Sequence, residues 1–228
     1  MPEEVVVERG EGGKTVGQDM KAMVEARIQS ILEQGRETPR EELAEPLNWW
    51  EIYAIGPFQF GATTVPPADL LSHPLLPHRI IQVGEPASIF TVVFLNPFFP
   101  QAALSACDII TGFNAKIELN YFTSNTQTMQ PVRDLSASRC IYTQRNVCYY
   151  VDQFDFTPRD PACLYETNIC ARICNCNNTP TPIQPFGAFV RWVIDLDYDL
   201  FFGSEVYEFD RPIRFMVSDF NSPCAACV

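Results

Sequence analysis

The stretch that decides the fold is Arg79–Leu95, RIIQVGEPASIFTVVFL, in which two runs of β-branched and aromatic residues flank Gly84 and Pro86. β-branched and aromatic side chains favour strands, whereas Gly and Pro favour the connections between strands. The stretch therefore predicts one strand over 79–83 and a second strand over 87–95.

The same pattern of short strands continues from Trp49 to the end of the sequence. Further strands are expected over 51–60, 114–122, 140–156, 187–200 and 205–217. Because no helix is expected between these strands, and parallel strands need crossover helices, the sheets should be antiparallel. We therefore expect an all-β fold, an antiparallel β-sandwich of the immunoglobulin-like or the jelly-roll type over residues 49–228.

Two long segments rich in proline separate the predicted strands. One covers residues 61–77, and the other covers residues 157–186 and has four cysteines in its middle. Loops of this length are usually either functional or held down by another structure. We therefore expect a cysteine-rich loop over 157–186.

Residues 1–48 differ from the rest and predict an N-terminal helical arm. Apolar residues recur at helical spacing, and Thr15 with Gln18 resembles a capping box, so an amphipathic helix is expected over about 15–34. Its apolar stripe needs a partner surface, either on another subunit or on the chain's own sandwich. The side chains expected to form this assembly arm are Val5, Val6, Val7, Met20, Met23, Val24, Ile28 and Ile31.

The segment from Val5 to Thr15 allows three interpretations. Its glycines and Lys14 have the outline of a phosphate-binding loop, but Glu8 stands where that pattern has its first glycine, and no parallel αβ units follow. The segment also fits a flexible glycine hinge before a helix. The third interpretation is that Val5–Val7 forms a short strand that pairs with the open sheet edge of a neighbouring subunit.

Charge and hydropathy exclude several classes of partner. The chain has 16 Lys and Arg against 28 Asp and Glu, a net charge of −12, and the basic residues form no cluster. Nucleic-acid binding needs such a cluster, so no nucleic acid is expected as a partner. The apolar runs are also much shorter than the roughly 20 residues that a membrane-spanning helix needs, so no membrane insertion is expected.

Cysteine is the unusual component of this composition. The sequence begins without the basic and apolar segments of a secretory signal, so we expect synthesis in the cytoplasm and, later, exposure in an assembled surface or coat layer. An odd number of cysteines leaves at least one thiol free or bonded to another chain. The disulfide or cross-link candidates are Cys107, Cys140, Cys148, Cys163, Cys170, Cys174, Cys176, Cys224 and Cys227.

Two groups of residues are weak candidates for a metal site. Asp195, Asp197 and Asp199 share one face of a predicted strand, which suggests calcium, but on a flat strand they lie about 6.5 to 7 Å apart, too far to share one ion. The cysteines of the loop suggest zinc, but only Cys224 and Cys227 form a C-x2-C pair. No cofactor is therefore expected, with zinc or calcium as the alternatives.

No enzymatic activity is expected, because no acid, base and nucleophile converge in the sequence and the two histidines, His73 and His78, both lie in a proline-rich segment. The predicted function is a structural, self-associating subunit of a coat, shell or filament. It would be a homo-oligomer, assembled through the arm and cross-linked by cysteines, that could also bind other proteins. The alternative is a metal-containing β-sandwich module that binds a small molecule, a glycan or a protein.

Overall fold

The computed structural model describes residues 21–22, 24–26, 28–30, 33, 50–59, 77–95, 97, 105–112, 115–159, 163–174, 191–192 and 212–218. These residues form a mostly β protein with two sheets. In chain order, the strands are β1 (Trp50–Gln59), β2 (Ile80–Gln82), β3 (Ala87–Leu95), β4 (Lys116–Asn125), β5 (Gln130–Pro131), β6 (Ala137–Tyr142), β7 (Tyr149–Phe156), β8 (Cys163–Cys174), β9 (Arg191–Trp192) and β10 (Ile213–Ser218).

Few residues are helical. Helix α1 covers Ala106–Gly112, and a single 3-10 turn covers Arg133–Leu135. The described residues between 21 and 33 are also helical. The strands therefore form nearly all of the regular structure that is described.

Sheet A contains four strands in the order β7–β3–β1–β9. Sheet B has the order β2–β10–β8–β4, with β5 and β6 both pairing along the other edge of β4. Most neighbours are antiparallel, but β9 runs parallel to β1 and β2 runs parallel to β10. The prediction of a purely antiparallel arrangement is therefore wrong for these two pairs, because strands far apart in sequence can be joined without a crossover helix.

The main core lies between the two sheets. Ile52, Ile89 and Leu95 of sheet A and Ile117 and Phe215 of sheet B belong to one cluster of buried side chains. Along β4 and β8 the burial alternates with period two, so every second residue faces this core. A mostly β protein with two sheets is thus confirmed, while the choice between an immunoglobulin-like and a jelly-roll topology stays a prediction.

A second cluster covers the outer face of sheet A. Tyr53, Phe90 and Phe94 lie there, and Val24 and Ile28 of the helical residues pack against them with no exposed surface. Sheet A is therefore apolar on both faces, which explains why seven of the nine residues of β3 are apolar. Because Val24 and Ile28 are covered by this chain's own sheet, they are not available to a partner in this arrangement.

The described residues correct two sequence predictions. Residues 163–174 belong to strand β8, whereas the sequence predicted a loop over 157–186. Helix α1 lies between β3 and β4, where no helix was expected. In addition, the expected strand over 140–156 is divided between β6 and β7.

A buried glutamine links the two sheets. The side-chain amide of Gln59 donates to the carbonyl of Gln82 at 2.8 Å and to the carbonyl of Glu85 at 3.1 Å, and its oxygen accepts from the backbone N–H of Gln82. Its backbone N–H donates to Nδ1 of His78 at 3.0 Å. These hydrogen bonds allow a polar side chain to lie in the interior without the cost of unpaired groups.

Candidate functional site

The first candidate site is the free edge of β7, the outermost strand of sheet A. Leu95 lies opposite Cys148 and donates its N–H to the Cys148 carbonyl at 2.7 Å. In an antiparallel pair, backbone groups point alternately toward and away from the partner strand. The N–H and C=O groups that point away from β3 therefore belong to Tyr149, Val151, Gln153 and Asp155.

Within the described part of the chain, no strand pairs with this side of β7. An unpaired edge of this kind is a template for an added strand, and proteins commonly protect it with charge or cover. Asp152 and Asp155 supply charge on β7. Among the described residues, no strand covers this edge of β7.

A groove of about 550 Å³ lies along this edge. One wall consists of Lys21, Glu25 and Gln29, which are spaced four residues apart and so share one face of the helix. The other wall is Ile141 together with the residues 146–152 before and within β7. Lys21 Nζ lies 3.9 Å from Glu25 Oε1, so the helical wall carries both signs of charge.

Two tyrosines contribute to the groove. Burial and, secondarily, the negative charge of Glu25 raise the pKa of Tyr149, and burial also raises the pKa of Tyr150. The Tyr150 hydroxyl accepts a hydrogen bond from the backbone N–H of Gln144 at 2.8 Å. Both rings are therefore neutral near pH 7, and the groove offers aromatic surface beside the open backbone groups.

The second candidate site is the outer face of sheet B. Met216 lies directly opposite Ile80 on β2 and Leu164 on β8, and these three apolar side chains are 37%, 47% and 41% exposed. Phe122 is 54% exposed on the same face. Exposed apolar groups that lie side by side, rather than scattered singly, mark interaction surfaces.

Ion pairs border this apolar row. Arg214 Nε donates to Glu166 Oε2 at 2.9 Å, and Arg172 pairs with Glu118, whose other oxygen lies 2.8 Å from Lys116 Nζ. Hydrogen bonds from Lys116 and then Arg172 lower the pKa of Glu118. The face therefore presents acidic and basic groups in alternation rather than one sign of charge.

The nine cysteines take several positions. Cys107 and Cys148 form a disulfide with a Cα–Cα distance of 5.1 Å, which joins α1 to the residue before β7. Cys140 and Cys170 are exposed free thiols on the outer face of sheet B. Cys163 and Cys174 begin and end β8, and Cys176, Cys224 and Cys227 lie outside the described residues.

The sequence predicts Cys107 and Cys148 as disulfide candidates without a partner for either, and the structure pairs them with each other. The nearby Cys140 lies within β6 whereas Cys148 lies just before β7, and these two strands belong to different sheets. This sheet assignment explains why the two cysteines are not cross-strand neighbours.

The other predicted site residues are only partly described. Val24 and Ile28 are buried against sheet A, while Val5, Val6, Val7, Met20, Met23 and Ile31 lie outside the residues whose side chains are described. Asp195, Asp197 and Asp199 also lie outside them. Among the described side chains, no three His, Cys, Asp or Glu residues are grouped closely enough to hold a metal ion.

The sequence does not predict that β7 lies at a sheet edge, because this position depends on the strand's partners and not on its own residues.

The start of helix α1 does have a signal in the sequence. Ser105 and Asp108 form a capping box, in which Ser105 Oγ accepts from the Asp108 N–H at 3.1 Å and Asp108 Oδ2 accepts from the Ser105 N–H at 3.0 Å. The hydrogen bond from the Ser105 side chain lowers the pKa of Asp108.

No described helix is long and apolar enough to cross a bilayer.

Comparisons with known proteins do not assign the chain to a family. No family model matches the sequence, and no curated protein matches it. A β-glucosidase from Listeria innocua in complex with glucose aligns at 11% identity and a TM-score of 0.29, over 62% of this chain and 16% of that chain. A CARDB domain from Pyrococcus furiosus in complex with di-metal ions aligns at 9% identity and a TM-score of 0.29, over 77% and 99%. A structural-genomics target aligns at 6% identity and a TM-score of 0.31, over 76% and 90%.

The present chain thus spans about one sixth of the β-glucosidase that it resembles. Likenesses with such low TM-scores carry no conclusion about the fold or the activity of this chain.

Proposed function

We propose that the protein is a structural, self-associating subunit of a coat, shell or filament, joined through its N-terminal arm and cross-linked by cysteines. The observation that supports this proposal best is the outer face of sheet B. It combines the apolar row of Ile80, Met216 and Leu164 with two free thiols, Cys140 and Cys170.

A second copy of the chain is a suitable partner for this face. Its alternating acidic and basic groups can pair with the same groups of another copy, so two like surfaces need not repel each other. Each free thiol is then available for an intermolecular disulfide, formed by exchange with a small external disulfide such as oxidised glutathione, which accepts the two protons and two electrons and leaves as two thiols. Covalent bonds would make reversible contacts permanent after assembly.

The test is the association state of the purified protein in sedimentation velocity, with reductant and after treatment with oxidised glutathione. We expect reversible oligomers in reductant and a covalent ladder on non-reducing electrophoresis after oxidation. Cys140→Ser combined with Cys170→Ser should abolish the ladder and keep the reversible association. Met216→Asp should weaken association, whereas Met129→Asp, at a residue 78% exposed on a turn, is the matched control.

A protein that stays monomeric under every condition, with the thiols of Cys140 and Cys170 still titratable after oxidation, would contradict the proposal. Elemental analysis of the same sample addresses the alternative function, because a stoichiometric metal would favour a metal-containing binding module.

A further inference from the structure

The open edge of β7 and the groove beside it are suited to an added strand. We propose that this edge accepts residues Val5–Val7 of a second copy of the chain as an additional strand of sheet A. The inference rests on the proposed function, because it names a contact between copies through the N-terminal arm, in addition to the outer face of sheet B.

The hydrogen-bonding groups of the edge favour this kind of partner. Four residues of β7 direct eight backbone groups away from β3, and a neighbouring strand satisfies such groups better than isolated side chains do. A small or branched ligand would leave most of them unpaired. The regular spacing of these groups therefore selects an extended peptide.

The dimensions of the groove agree with a short strand. Its β7 wall extends from Tyr149 to Asp152, three steps along a strand, or about 10 Å. Val5–Val7 spans two steps along a strand, about 7 Å, and so fits within this length. Alternation would direct Val5 and Val7 to one face of sheet A and Val6 to the other, and the rings of Tyr149 and Tyr150 provide apolar surface on opposite faces of the edge.

The N-terminal segment is placed to reach such an edge. Lys21, the first described residue, lines the groove, and 20 residues precede it. Val5–Val7 is a run of three β-branched residues in that segment, and Gly10, Gly12 and Gly13 provide a hinge before the predicted helix.

A second copy is the preferred source of the strand because the helical residues are already attached to their own sheet through Val24 and Ile28. If Val5–Val7 also bound its own edge, the arm would provide no contact between copies. Exchange of arms instead gives every copy one donor strand and one acceptor edge, which permits a closed dimer or an open chain.

The charges at this contact predict a dependence on salt. Glu25, Asp152 and Asp155 lie along the edge, and Glu4 and Glu8 flank the donor valines. Lys21 and Arg139 offset part of this charge, since Arg139 Nε lies 3.5 Å from Asp152 Oδ2. Because like charges still predominate, association should become stronger as salt screens them.

The test uses one donor variant and one acceptor variant in sedimentation equilibrium. Deletion of residues 1–8 removes the donor strand but leaves the edge. Val151→Pro removes an N–H that points away from β3, so it blocks strand addition without breaking a bond within sheet A, and Val151→Ala is its matched control. Circular dichroism and thermal unfolding of each variant confirm that it is folded.

Each of the two variants is expected to raise the dissociation constant by about tenfold or more, and Val151→Ala by less than about threefold. An equimolar mixture of the two variants should form a heterodimer, because one supplies an intact arm and the other an intact edge. A mixture that stays monomeric, or variants that associate as the wild type does, would overturn the inference. So would a wild-type monomer that loses only stability when residues 1–8 are removed, since the strand would then bind its own edge.

These outcomes are distinguishable from failure of the proposed function. If the wild type self-associates while both variants associate equally well, only the arm-exchange inference fails. If the wild type never self-associates, both the proposed function and the arm-exchange inference fail.

Discussion

The hydroxyl of Tyr121 on sheet B donates a hydrogen bond to Asp152 Oδ2 on sheet A at 2.8 Å, and it lies 2.9 Å from the hydroxyl of Thr91. Burial and then the charge of Asp152 raise the pKa of Tyr121, so the hydroxyl keeps its proton. Arg139 pairs with the same carboxylate and lies over the ring of Phe154, 5.8 Å from its centroid. This group of side chains fixes one sheet relative to the other through specific polar contacts.

Tyr121→Phe should therefore lower the free energy of unfolding by about 1 to 3 kcal/mol, because it removes the hydrogen-bond partner of the buried Thr91 hydroxyl and one of the partners of Asp152. Urea unfolding at neutral pH measures the change. Tyr142→Phe is the matched control, since the Tyr142 side chain is 68% exposed, and it should change stability by less than about 0.5 kcal/mol. Equal effects of the two substitutions would show that the contact contributes nothing.

The disulfide between Cys107 and Cys148 should stabilise the fold. It closes a loop with a sequence separation of 41 residues, for which chain entropy gives about 4 kcal/mol. Reductant, or Cys107→Ala, should lower the unfolding free energy by up to this amount, and reductant should have no further effect on the variant. Cys140→Ser changes an exposed free thiol and serves as the control. Peptide mapping without reductant should recover the linked peptides.

Three glycines should respond differently to substitution by alanine. Gly56 has φ of +141°, and an added Cβ would lie 3.0 Å from the Cα of Ile89 in the neighbouring strand. Gly84 also has positive φ, +79°, but an added Cβ would have no atom within 4 Å. Gly112, in α1, has neither constraint.

We therefore expect a loss of roughly 3 kcal/mol or more for Gly56→Ala, since backbone strain and a clash with main-chain atoms add together. Gly84→Ala should cost about 1 kcal/mol from strain alone, and Gly112→Ala should stay within about 0.5 kcal/mol of the wild type. Thermal and urea unfolding of the three variants test the order. A Gly84→Ala variant less stable than Gly56→Ala would contradict it.

The sequence predicted correctly the strand in which apolar residues follow one another almost without a break. It missed the strand in which cysteines and nearby prolines also fitted a loop. The strand predicted over 87–95 coincides with β3, because β-branched and aromatic residues occupy positions 89–94 without interruption and turn residues precede the strand. In β8, the cysteines and flanking prolines suggested a loop, although Tyr165, Ile169 and Ile173 alternate toward the core. The alternation of apolar and polar residues along 165–173 was the better indication of a strand.

Pairing between distant parts of the chain could not be predicted from local pattern. The bond between Cys107 and Cys148 depends on the packing of α1 against the start of β7, and the open edge of β7 depends on which strands join sheet A. Neither property belongs to a single segment. The candidate surfaces therefore became visible only when strand order and register were available.

His78 gives the fold a dependence on pH. Burial lowers the pKa of its imidazole below the ordinary value of 6.5, and Nδ1 accepts the backbone N–H of Gln59 at 3.0 Å, which requires that nitrogen to be unprotonated. The unfolded chain therefore binds the proton more readily than the folded one. Stability should be constant above about pH 7, decrease as the pH falls below the unfolded value, and level off below the folded pKa.

The comparison that isolates this effect is wild type against His78→Gln, with urea unfolding between about pH 5 and pH 8. The decrease between neutral and mildly acidic pH should be smaller in His78→Gln than in the wild type, whereas His73→Gln should retain it. An NMR titration of the imidazole should give a midpoint below that of a model histidine. Two results would contradict this: a midpoint above that of a model histidine, or a wild type whose stability rises as the pH falls through this range. Either result would mean that the fold accommodates the protonated ring and that Nδ1 does not accept the Gln59 N–H. Since Gln59 also binds Gln82 and Glu85 across the sheets, loss of the Gln59 contact should increase amide exchange at the end of β1 as the ring gains its proton.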